Sequence, residues 1–200
     1  MRLRQLVLAA GLALPGAALA HSPIEGLGNL YNGLLHPVLV PAHLLMLIAM
    51  GLFLGQQGPK KNERALAAYL VSTLLGLVVA GFDPGVQAEL FILGLTAVVG
   101  LLVAVKPSLA VLWSAILAAL AGFSLGLDSA QESLVGKDKM VMLFGSGVAI
   151  YLITLYPMAL AAHFNKVEWH RIAVRVVGSW IAASALLVLA LSFVGTPQTA

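Results

Sequence analysis

No cysteine occurs among the 200 residues. That excludes disulfides, thiolate metal sites and cysteine nucleophiles, so any metal held here is held by His, Met, Asp, Glu or backbone atoms. Charge is scarce too: charged residues make up 10% of the chain and apolar residues 60%. Soluble domains carry about 25% charged and about 45–50% apolar residues. A chain so poor in polar groups cannot coat a water-soluble globule, and the composition reads as an integral membrane protein in contact with the lipid bilayer. The net charge of +3 comes from 11 basic and 8 acidic residues, with no basic run long enough to form a nucleic-acid footprint. No Ser/His, Asp/Asp or HExxH arrangement appears within the apolar stretches, so neither catalytic residues nor enzymatic activity is expected. An ATP-binding loop is also missing, which leaves passive or gradient-driven transport as the transport classes open to the chain.

The first twenty residues look like a processing signal. Arg2 and Arg4 precede an apolar run from Leu6 to Leu14, which Pro15-Gly16 breaks, and Ala18-Leu19-Ala20 forms an A-x-A cleavage site. The competing reading is an uncleaved first helix, but the run is too short to span a bilayer. The expected organisation is a signal peptide over 1–20 and a membrane domain over 21–200. Cleavage would take the formal charge from +3 to +1, since residues 1–20 hold two arginines and no acid. It would also make His21 the mature N-terminus, where the free α-amine and the imidazole can bind one metal together.

Six windows are long and apolar enough to be transmembrane helices: about 36–55, 65–82, 89–105, 108–127, 140–163 and 173–194. The predicted fold is therefore all-α and polytopic, with six spans after a cleaved signal peptide. With the mature N-terminus outside, the inner loops hold Lys60, Lys61, Arg64, Lys106, Lys166, Arg171 and Arg175, and the outer segments only Lys137 and Lys139. This positive-inside bias puts both termini on the outer side, which is the periplasmic side of the bacterial inner membrane in which the chain is expected. Six acids, Glu25, Asp83, Glu89, Asp128, Glu132 and Asp138, fall on the outer side. They either draw cations to an outer vestibule or occupy ordinary loop and cap positions. Gly51-xxx-Gly55 and Gly122-xxx-Gly126 predict close helix contacts, and Pro157 predicts a kink in the fifth span.

The candidate chemistry centres on the segment from His36 to Met50, which begins HPVLVPAH. On one straight helix His36 and His43 would lie about 10 Å apart along the axis, too far to share an ion at the usual Zn–N distance of about 2.0–2.1 Å. Two prolines alter that expectation. Pro37 disfavours helical geometry at His36, and Pro41 suits the first turn of a new helix. His36 is therefore expected on a bent segment that folds back towards His43. Met46 and Met50 share a helical face with His43, and imidazole plus thioether suits copper, although methionines at this spacing also serve as packing. His163 and His170, at the inner side, read as interfacial surface.

These residues resemble the HupE/UreJ type of membrane protein, the hydrogenase/urease accessory proteins regarded as nickel permeases. The resemblance covers nearly the whole chain. The family's first-span signature is His-Pro, a few residues, Asp-His, apolar residues and a Gly. Here it reads HPVLVPAHLLMLIAMG, in which His36, Pro37, His43 and Gly51 match and Ala42 stands in the Asp position. Glu89 is similar to the opening of the family's third span. The family's fourth span carries a Phe-His-Gly-x-Ala-His-Gly-x-Glu type motif. This chain has Leu120-Ala121-Gly122-Phe123-Ser124-Leu125-Gly126-Leu127-Asp128, which keeps both glycines and an acid but has Ala121 and Leu125 for the histidines. The resemblance implies a metal permease with His36, His43, His21, Asp128, Glu89, Asp83, Met46 and Met50 as candidate metal ligands. It implies no permanently bound cofactor, and a transported ion that is nickel, or alternatively copper or cobalt. The alternative is a non-transporting structural or accessory subunit of a membrane enzyme complex.

Overall fold

The computed structural model describes residues 26–82, 87–131 and 133–194. The expected signal peptide, His21 and Asp83 lie outside the described residues. Regular structure among the described residues is entirely helical, without strands. Among these residues seven helices follow one another: α1 (Asn29–Leu39), α2 (Pro41–Gln57), α3 (Pro59–Phe82), α4 (Glu89–Val105), α5 (Val111–Leu127), α6 (Gly136–Phe164) and α7 (Glu168–Val194).

Each window expected to span overlaps one helix, but the first is broken. α1 and α2 meet at an angle of 73°. The break falls at Val40, which is extended (φ −86°, ψ 110°) because the following Pro41 disfavours helical geometry there and occupies the first turn of α2. At Pro37 the same expectation fails and needs correction: His36 is helical, with Pro37 inside α1. Pro37 has no N–H to offer the carbonyl of Gly33 one turn back. The Ser146 hydroxyl of α6 donates to that carbonyl instead, at 3.2 Å, so the helix continues through the proline without stranding the acceptor.

Among the described residues, three helical segments, Glu63–Phe82, Gly136–Phe164 and Glu168–Phe193, are long and apolar enough to cross a membrane, and the bent α1–α2 pair makes up to four. α4 and α5 are apolar but have 17 residues each, about 26 Å of helix against a hydrocarbon core of about 30 Å. The bundle is inside-out relative to a soluble one. On α3 the exposed face carries Val71, Leu74, Leu75 and Val78, whereas Tyr69, Ser72 and Thr73 are buried. The Tyr69 and Thr154 hydroxyls meet at 2.9 Å between α3 and α6, and Thr154 also donates to the carbonyl of Ile150. Polar groups in contact with one another and apolar groups facing outwards suit a lipid surround.

Close backbone approaches fix the packing. α3 pairs with α5, α4 with α7, and both α1 and α2 with α6. A Cβ at Gly122 or Gly126 would collide with the backbone of α3 at Tyr69 or Thr73, and one at Gly51 would lie 2.5 Å from Pro157 Cγ. α2 is buried on nearly every side and lies in the main apolar core, as expected of a helix that is apolar all round. Gln56 near its C-terminus donates to Val103 O of α4, so α2 and α4 finish at the same end. α5 finishes at the opposite end, where Asp128 meets the start of α4. The bundle therefore has one end containing His43 and Asp128, and another containing Lys106, Asn165 and Arg171.

Candidate metal site

The α1–α2 elbow folds the two histidines together. His36 occupies the last turn of α1 and His43 the first turn of α2. Their ring centroids are 5.3 Å apart, edge to face at 83°, about half the separation a straight helix would impose. Both rings are buried, with exposures of 1% and 0%. One turn before His36, Asn32 lies on the same buried face of α1.

Asp128, which follows the last residue of α5, completes the cluster. Its Oδ2 lies 2.9 Å from His43 Nε2, and its Oδ1 accepts the Ala88 N–H at 2.6 Å. Ala88 is the residue before α4, so the carboxylate also sits at a helix N-terminus, where the dipole favours negative charge. The bridge spans 85 residues of sequence and is almost fully shielded from solvent. An ionised carboxylate only accepts hydrogen bonds. His43 Nε2 must then carry the hydrogen, and in a neutral ring Nδ1 keeps its lone pair. That Nδ1 is buried and has no hydrogen-bond partner among the described residues. A carboxylate holding one ring nitrogen while the other stays bare is the usual support for a metal-ligating histidine.

Among the described residues, the other candidates do not join this cluster. Glu89 is next to Ala88 in sequence but is exposed. Met46 and Met50 are fully buried within the main apolar core, where they act as packing. Ala121 and Leu125, at the positions where the resembled motif has histidines, are fully buried as well and belong to the same core. Among the described residues, no three His, Asp or Glu side chains form a ready-made metal cage. His163 and His170 flank Phe164 at the opposite end, with ring centroids 5.9 Å and 4.7 Å from it.

Sequence reasoning missed the Ala88 N–H, which is a backbone donor and leaves no mark in the side-chain pattern.

Comparison with known proteins gives one finding. The profile of the family described as HupE / UreJ protein matches residues 8–188. No curated protein and no solved structure matches the chain.

Proposed function

The chain belongs to the HupE/UreJ family, and on that premise we propose that it is an inner-membrane permease for a divalent transition-metal ion, nickel first, with copper or cobalt as alternatives. The observation that carries this reading is the bare, buried Nδ1 of His43, held by the Asp128 bridge beside the ring of His36. A neutral imidazole with a fixed tautomer is a ready ligand for nickel, copper or cobalt. In this reading α1–α2 acts as one broken span and α4 and α5 as short ones, giving six after cleavage of the signal peptide. The His43 end then faces the periplasm, where the outer acids draw cations in and His21 passes the ion to His36 and His43. Nothing in this cycle calls for catalysis by the chain.

The experiment is uptake of radioactive nickel by cells expressing wild type, His36→Ala, His43→Ala or Asp128→Asn at equal membrane levels. Both alanine variants are expected to abolish uptake. Loss of the supporting carboxylate is expected to lower it by about 10–100-fold. Unchanged uptake in both histidine variants would remove the mechanism.

One observation favours a second reading, a non-transporting accessory subunit. The buried positions 121 and 125 present Ala and Leu to the core where the resembled motif has ligands. Stoichiometric co-purification with a larger enzyme in mild detergent, together with growth independent of the metal supply, would select it.

A further inference from the structure

From beside His43 an apolar groove runs towards the opposite end of the bundle, where it meets a cluster of positive charge. The groove encloses about 620 Å³ between α2, α6 and α7. It exists because α6 and α7, although consecutive, touch only sparingly, while α2 packs against α6 through Gly51 and Gly55. Leu44, Ile48 and Leu52 form one wall, and Leu160, Val174 and Val177 face them. From Leu44 to Leu52 the helix rises about 12 Å, close to the depth of one leaflet of a hydrocarbon core about 30 Å thick. Val174 also lines a polar niche formed with Gln56, Lys106, Asn165 and Arg171.

We propose that this groove holds an acyl chain of one anionic phospholipid, with the lipid phosphate resting against Lys106 and Arg171.

Charge complementarity selects this occupant. Lys106 and Arg171 line the niche, and Arg175, whose Nε donates to Ala104 O, lies near enough to act on Lys106. Burial, then Arg171 and Arg175, hold the Lys106 ammonium below its ordinary pKa, as expected of a cation with too little negative charge around it. Among the described residues Lys106 Nζ donates to the neutral amide oxygen of Asn165, and Arg171 has a long, exposed ion pair with Glu168 at 3.9 Å. Phe164 lines the groove and packs at a tilt against His170, which packs in turn against the exposed Trp169 with ring centroids 4.3 Å apart. Such an aromatic cluster belongs at headgroup depth, and basic pockets between helices are typical phospholipid-headgroup sites. A second copy of this chain would bring the same surplus of positive charge to that end and suits the niche less well. The proposal does not depend on ion conduction.

The test is native mass spectrometry of the delipidated full-length protein titrated with phosphatidylglycerol, phosphatidylcholine, glycerophosphoglycerol or inorganic phosphate. Wild type is expected to bind phosphatidylglycerol tighter than phosphatidylcholine by about fivefold for each basic group engaged, roughly 30-fold for two. Lys106→Gln with Arg171→Gln is expected to bring phosphatidylglycerol down to the phosphatidylcholine affinity and no further, which separates lost charge from lost fold. Arg171→Lys is expected to keep the preference. Val177→Trp, which fills the groove, is expected to lose both lipids. Equal affinity for the two lipids in wild type, or an unchanged preference in the double glutamine variant, would overturn the proposal. So would full competition by glycerophosphoglycerol or phosphate, which would make the niche a free-phosphate site.

Discussion

Replacing Asp128 tests the bridge most sharply, because two substitutions there separate its structural role from its chemical one. Asp128→Ala strands two donors, His43 Nε2–H and the Ala88 N–H, in a site nearly closed to solvent. Each unsatisfied buried donor costs about 1–3 kcal/mol, so a loss of about 2–6 kcal/mol is expected for the two. Asp128→Asn keeps the shape but offers one acceptor in place of two. The Ala88 N–H is backbone and cannot change, so the amide oxygen turns to it and the amide NH₂ faces His43. The imidazole can change, by moving its hydrogen from Nε2 to Nδ1. Stability should fall by only about 1–2 kcal/mol, the difference between a charge-assisted and a neutral hydrogen bond. The lone pair proposed for the metal, however, disappears. Equilibrium unfolding in mixed micelles reads the first quantity, ¹⁵N NMR of labelled histidine the tautomer, and calorimetry with nickel the binding. Wild-type nickel affinity in Asp128→Asn, or a hydrogen still on Nε2, would refute the reasoning.

Two further expectations concern the packing. Ser146→Ala should cost about 1–3 kcal/mol by stranding the Gly33 carbonyl, and adding Pro37→Ala should recover most of it, because residue 37 regains the N–H that carbonyl lacks. Unfolding of the single and double variants checks this, and no recovery would mean that Ser146 acts otherwise. Gly94→Ala meets nothing within 4 Å and should be neutral or stabilising by up to about 1 kcal/mol. Gly122→Ala presses on the α3 backbone and should cost about 1–3 kcal/mol. Equal effects at the two glycines in the same unfolding assay would count against the assigned α3–α5 contact.

The helices were legible in the sequence because a bilayer demands long apolar runs, and the glycine pairs because close approach demands small residues. The elbow was half legible. Pro41 broke the helix before it, as its ring requires, whereas Pro37 did not, because a hydroxyl 113 residues away in sequence accommodated it. A local rule cannot anticipate such a distant partner. The same applies to the candidate site. His43 and Asp128 stood out individually, one as a histidine at the head of an apolar helix and one as an acid at a helix end. Their pairing depends on how α2, α4 and α5 meet, and no spacing in the sequence encodes that. Met46 and Met50 share the face of His43, as their spacing predicts, and both lie fully buried in the main apolar core.

The two oxygens of Asp128 serve different masters. One fixes the imidazole of His43, and the other fastens the start of α4. A single rigid carboxylate thus acts as a strut between a ligand and a helix. By thermodynamic reciprocity, whatever displaces α4 alters the grip on the ring, and whatever loads the ring alters the seating of α4. Ion occupancy and helix position would then be read on one scale, at a residue that needs no contact with the ion itself.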